Sequence, residues 1–322
     1  MESLFNHFRS NLYNIGGPRF DGLYSPEDSY DVRTKAGVTE QFIDDADTYH
    51  QRYTSRPGWT RRIREAFDHV AVRGPVHILD VGSGSGNTVF PILDLLPESH
   101  IVATDISPDL LAILNRSLSA DQRSRCLLVA MNASDDVLVP DTFDLAVGGA
   151  ILHHIIDPRP VIESTMRALK PGGYAIFYEP FESGSAILRL AYRMLLRRKF
   201  QLGINAKVAQ LIEGIVYDFE IRTGTDKSND IFNRIDDKWV FTRTYFERIA
   251  SAIGCRVHGM YSIDDRAKPF SNKLLGHLRV GLDLGPEAIP QRAWTAMEEY
   301  DHLMSPDLLQ EVFVEGCIIL AK

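Results

Sequence analysis

The stretch ILDVGSGSGN at 78–87 decides the fold. An apolar run of strand length feeds a turn built on Gly82, Gly84 and Gly86, and a helical pattern follows. Glycine lets such a turn reverse tightly and lets backbone approach a bound group closely, because no Cβ intervenes. The helix that starts there offers free N–H groups. Taken alone, a glycine loop says little. The next apolar run, HIVATDIS at 100–107, ends on Asp105. A carboxylate there can accept hydrogen bonds from both ribose hydroxyls of an adenosine-containing cofactor. The competing job for Asp105 is to cap the following helix, but Ser107 holds the better capping position ahead of Pro108.

Outward from this loop, strands and helices alternate. Apolar runs at 76–81, 101–104, 126–131, 143–148 and 173–178 read as strands, with helical stretches near 87–96, 108–118 and 158–169 between them. Such alternation predicts parallel strands joined by crossover helices, a doubly wound α/β sheet. Helical spacing resumes over 185–200 and 204–220, then Thr242 is placed to cap a helix that Gly254 ends. The runs 256–261 and 312–321 read as the last two strands, with helical patterns near 271–280 and 291–304 between them. The expected organisation is an N-terminal segment at 1–57 covering the site, a Rossmann-like core at 58–181, a helical lid at 182–241, and completion of the core at 242–322 with a helical insertion at about 262–311.

Two cofactor classes suit the glycine loop, nicotinamide dinucleotides and S-adenosyl-L-methionine. Asn87 stands where the dinucleotide fingerprint has its last glycine, and Asp80 lies in the strand just before the loop. A carboxylate at 80 would repel a pyrophosphate, yet it can serve the cationic amino-acid end of S-adenosyl-L-methionine, directly or through water.

With these residues in place the chain resembles the class I S-adenosylmethionine-dependent methyltransferases, the small-molecule group with an LHH signature. ILDVGSGSG looks like the cofactor loop, TDIS like the ribose-binding strand end, and VAMNAS at 129–134 sits where the family commonly has an Asp-Ala pair on adenine. FDLAVGGAILHHIIDP at 143–158 and ALKPGGYAIFYEP at 168–180 match the fourth and fifth strands with their turns. The resemblance covers 76–180 well, and 242–261 and 312–322 more loosely. It implies a seven-stranded sheet with the last strand antiparallel, and a cofactor site of Asp80, Gly82, Ser83, Gly84, Gly86, Asp105, Ile106, Asn132, Ala133, Gly149 and Tyr49. Asn132 departs from the usual Asp, but its carbonyl oxygen can still accept from an adenine amine. Tyr49 stands where relatives often place an aromatic ring over the cofactor, suited to a sulfonium by cation–π attraction.

For the chemistry, the resemblance points to His153 and His154 after the fourth strand and Glu179 after the fifth. Some sugar-hydroxyl methyltransferases of this group pair such a His with such a carboxylate. A neutral imidazole suits proton removal near neutral pH. The competing reading leaves the histidines as packed, hydrogen-bonded side chains and Glu179 as a loop-fixing group.

Composition bounds the rest. The 322 residues carry a formal charge of −8, a poor match to nucleic acid, whose binding draws on basic surface. The N-terminal segment is rich in Phe and Tyr, unlike a disordered tail, and its first residues do not read as a secretory signal. Cys126, Cys255 and Cys317 lie in runs read as strands, without metal-ligand spacing, so buried thiols and no metal are expected. A cytoplasmic location follows. Arg189, Arg193 and Arg197 form one stripe on 185–200. That helix reads foremost as core-packed, with contact to an anionic membrane or an arginine-lined pocket as alternatives. The lead function is methylation of a small molecule, O-methylation first. C- or N-methylation, a protein of this fold without methyl transfer, and a nicotinamide-dependent dehydrogenase are the alternatives. The sequence leaves the acceptor and the oligomeric state open.

Overall fold

The computed structural model describes residues 2–35 and 38–322. Nine strands form one sheet: β1 (Tyr13–Asn14), β2 (Leu23–Ser25), β3 (His77–Val81), β4 (His100–Asp105), β5 (Cys126–Ala130), β6 (Phe143–Gly149), β7 (Leu169–Pro180), β8 (Arg256–Ser262) and β9 (Glu315–Ala321). Their spatial order is β1-β2-β5-β4-β3-β6-β7-β9-β8. β2 to β7 run parallel, β9 lies antiparallel between β7 and β8, and β1 pairs antiparallel with β2. The doubly wound class and the antiparallel last strand are as expected.

The strand count differs from the expected seven. β1 and β2 come from the N-terminal segment and extend the sheet beyond β5, Leu23 pairing with Leu128 and Tyr24 with Val129. Strands of two and three residues carry too little periodicity to be read from sequence. The central strands are legible because helices cover both faces of the sheet, so nearly every residue of β4 and β5 is buried.

The crossover helices Val89–Leu95, Pro108–Ser117 and Arg159–Ala168 flank the sheet, with Arg56–His69 and Arg243–Ala252. Ser107 and Thr242 cap their helices as anticipated, accepting from the backbone N–H of Leu110 and Tyr245. Helices Glu182–Arg197, Ala206–Arg222, Pro269–Leu282 and Gln291–His302 bury a separate apolar cluster that includes Leu188, Tyr192, Ile212, Leu274 and Met297. The apolar face of the first of these, with Leu188, Ala191, Tyr192 and Leu195, is packed inward, while Arg189 pairs with Glu182 and Arg193 with Glu220. No described helix is long and apolar enough to cross a membrane. Cys126 and Cys317 are buried in strands, whereas Cys255 is half-buried just before β8.

β3 is the switch point, with β4 on one side and β6 on the other. Ligands in such sheets bind in the crevice beyond the carboxyl ends of the strands at this position.

Candidate functional site

A cavity of about 380 Å³ opens at that crevice. Its walls include Gly82, Ser83, Gly84, Asp105, Ile106, Asn132, Ala133, Gly149 and Tyr49. Gly82 turns the chain at φ +70, where a side chain would be strained and would strike Ile151. Asp105 is pinned by backbone N–H groups on both sides, Gly84 donating to Oδ2 at 2.7 Å and Ser107 to Oδ1 at 2.8 Å. Burial, opposed by those donors, raises its carboxyl to about 6. Helix capping at this point falls to Ser107.

Two predicted residues stand outside the cavity wall. Gly86 packs against Phe90 and Leu114, setting the helix against the loop. Asp80 is fully buried behind Thr88, whose hydroxyl donates to its Oδ2 at 2.6 Å, while Oδ1 has no partner among the described residues. Burial pushes this carboxyl up to about 7. Thr88, which does line the cavity, is the intermediary the sequence did not suggest.

The N-terminal segment reaches the same cavity. Phe42 and Tyr49 line it, with ring centroids 5.2 Å apart, and Tyr53 packs on Tyr49 at 4.8 Å. Asn87, the residue in place of the last glycine, ties this cover down. Its side chain accepts from the N–H of Ser55 at 3.2 Å and donates to the carbonyl of Tyr53 at 3.2 Å. His50 adds a 2.7 Å contact to the Ser85 hydroxyl.

Beyond the loop after β6 lies a second cavity of about 270 Å³, between the sheet and the helices of the separate cluster. Ala150 lines both cavities and holds φ +60, a left-handed conformation that costs a residue with a Cβ about 1 kcal/mol. Glu179 fixes this turn: its carboxylate accepts from the N–H groups of Ile151, Leu152 and His153 at 3.1, 2.7 and 3.2 Å. The same carboxylate meets His153 Nδ1 at 2.6 Å. The two histidines part company here, His153 facing the second cavity and His154 the first.

A residue that sequence reasoning missed completes the group. Asp237 lies 3.5 Å from His153 Nε2 and 3.3 Å from His154 Nδ1, and its other oxygen meets Arg222 at 3.2 Å. Burial pulls His153 down, but Glu179 and Asp237 outweigh it and raise the imidazole to about 9. This corrects the expectation of a neutral imidazole, because the ring sits between two carboxylates. Burial and the neighbouring His153 lower His154 to about 3, leaving it neutral. Asp237 opens the DKW stretch of a polar loop, and only the docking of that loop on the LHH turn gives it a role.

Residues 79–175 match the family of methyltransferase domains. A demethylmenaquinone methyltransferase of Clavibacter sepedonicus is 28% identical over 120 residues, 37% of this chain and 47% of that protein. The match thus spans under half of that relative's length. A demethylmenaquinone methyltransferase of Shouchella clausii is 23% identical over 185 residues, 56% of this chain and 79% of the relative. Among solved structures, Haemonchus contortus phosphoethanolamine N-methyltransferase 2, in complex with S-adenosyl-L-methionine, superposes with a TM-score of 0.53 at 14% identity. That superposition covers 88% of this chain and 58% of the other.

Proposed function

We propose, from the premise that the chain belongs to the class I methyltransferases through the domain at 79–175, that it transfers a methyl group from S-adenosyl-L-methionine to a hydroxyl of a small-molecule acceptor in the cytoplasm. One observation carries this reading: a cofactor-type cavity and a second cavity holding the His153–Glu179 pair meet at Ala150.

The residues present fit the cofactor. Asp105 stands in the wall as an acid for ribose hydroxyls, and the unpartnered Oδ1 of Asp80 leaves negative character behind Thr88 for a cationic group. Among the described residues, nothing lies within 4 Å of the position a Cβ would take on Gly84, so the loop leaves room for close approach. Asn132 and Ala133 would take the adenine edge, and Tyr49 would lie toward the sulfonium. S-adenosyl-L-methionine supplies, when bound, a methyl group activated by positive charge on sulfur. The chain itself holds an acceptor against Ala150, excludes water through the cover at Phe42 and Tyr49, and removes the hydroxyl proton at His153 Nε2. Glu179 holds the ring and stabilises its charged form. His154 acts as a neutral packing partner rather than a base.

Carbon methylation is the second reading, supported by the relatives named for demethylmenaquinone. Carbon methylation also releases a proton, lost from the acceptor in exchange for the methyl group, so the methylated atom of the product tells the two readings apart.

The deciding experiment is a thermal-shift titration with S-adenosylhomocysteine (SAH) and NAD, with Asp105→Ala and Asp105→Asn as controls. Ligand at about 100 times Kd adds about 2.7 kcal/mol of stability. A rise of several degrees with SAH, abolished in both variants, is expected. Stabilisation by NAD alone, or by neither, would sink the methyltransferase reading.

A further inference from the structure

We infer that the second cavity takes a neutral, polyhydroxylated acceptor about the size of one sugar ring, held by carboxylates that each bridge two cations. The inference rests on the methyl-transfer reading above and names its acceptor class. Glu315 lies between Arg62 at 3.1 Å and Lys273 at 2.6 Å. Asp237 lies between Arg222 at 3.2 Å and His153 at 3.5 Å. All six residues line the cavity.

Each bridge sets oxygen lone pairs beside N–H donors. A hydroxyl is both donor and acceptor, so it can give its proton to the carboxylate and accept from the adjacent cation. Neighbouring hydroxyls on a ring repeat that pattern at the spacing of a bridge. The Nε–H groups of Arg62 and Arg222 are buried with no partner among the described residues, so donors remain to be satisfied here. Trp59 and Tyr178 add aromatic walls for the C–H faces of a ring.

Other acceptor classes fare worse. A quinone or hydroquinone carries only two oxygens on an otherwise apolar ring, too few to return the hydrogen bonds of the charged groups it would cover. An anionic acceptor would have to compete with Glu315 and Asp237 for cations that those carboxylates already hold. The volume of about 270 Å³ falls below the usual span of drug-sized pockets, enough for one ring and too little for a long chain.

The test is saturation-transfer NMR on the full chain saturated with SAH. The probes are myo-inositol and methyl α-D-glucopyranoside, with 1,4-naphthohydroquinone and benzoate as the apolar and anionic comparisons. The polyols should bind, and Glu315→Gln and Asp237→Asn should each weaken them about tenfold, the loss of roughly one charged hydrogen bond. SAH affinity should be unchanged in both variants, which also shows that they fold. No polyol signal, polyol binding unchanged from wild type in both variants, or preference for the hydroquinone or benzoate would overturn the assignment. Failure of SAH to bind at all would overturn the underlying methyltransferase reading instead.

Discussion

Two carboxylates flank His153 and favour its protonated form, and under the proposed mechanism that placement governs both rate and stability. With its imidazole raised to about 9, the fraction able to accept a proton grows about tenfold per pH unit up to that value. Methyl transfer to a hydroxyl should therefore rise with pH and level off near 9. Glu179→Gln removes one of the anions and should move that inflection toward neutral pH. A profile that ignores pH in the wild type, or an inflection unmoved in the variant, counts against His153 as base. The same raised value stabilises the fold fully below the unfolded pKa of about 6.5, and that contribution is lost as pH rises through about 9. At Gly149, a built Cβ would stand 2.7 Å from Thr88 Cγ2 and 2.8 Å from the Trp59 ring. Gly149→Ala should cost about 1–3 kcal/mol of overpacking, read from urea unfolding. Residue placement was legible in sequence at strand ends: Asp105, Gly149 and Glu179 all close apolar runs and line the two cavities. Asp237 was not, because its histidine partners come from a segment far away in the chain, and Thr88 was not, because nothing in the pattern marks which hydroxyl at the helix start turns back onto Asp80.

At the scale of elements, the loop that carries Asp237 behaves as a strap over the LHH turn. Lys238 N–H donates to the His153 carbonyl at 2.7 Å, Trp239 Nε1–H to the Ile155 carbonyl at 2.9 Å, and Phe241 N–H to the Pro180 carbonyl at 2.8 Å. The Trp239 ring stacks on Phe241 at 5.5 Å. Trp239→Phe keeps an aromatic ring but loses the indole donor, leaving the Ile155 carbonyl short of a partner. The expected loss is about 1 kcal/mol of stability, with a higher KM for acceptor and an unchanged SAH Kd. An equal rise in both constants would mean that the strap serves the cofactor cavity as well. Elements with long apolar runs, such as β4 and β5, could be read directly, because burial on both faces leaves no other pattern. The strap has no periodicity to read, since its backbone bonds to the LHH turn and, at Phe241 alone, to the chain at the end of β7.

On the scale of the whole molecule, three parts of the chain meet at one place. The sheet supplies the glycine loop and Glu179, the N-terminal segment supplies Phe42 and Tyr49, and the helical cluster supplies Arg222 and Lys273. The sheet's architecture followed from alternating elements, whereas the second cavity draws on segments from Trp59 to Glu315 and exists only once these parts dock. The cover over the first cavity is tied to the glycine loop by few groups, chiefly Asn87 and His50. Of residues 42–54 only Ala46 is buried, and a segment with so little buried surface opens more readily than the sheet beneath it. A ligand beneath it that touches Phe42 and Tyr49 adds contacts available only in the closed state, and so shifts the population toward closure. Hydrogen-exchange mass spectrometry should show residues 42–54 slowed about tenfold or more on SAH addition, with β4 and β5 already protected without ligand. Asn87→Ala should speed exchange in the ligand-free protein and weaken SAH in proportion, because closing the cover then costs more of the binding energy. If SAH binds while exchange at 42–54 stays the same, the segment is a fixed wall and the coupling between cover and cofactor cavity is refuted.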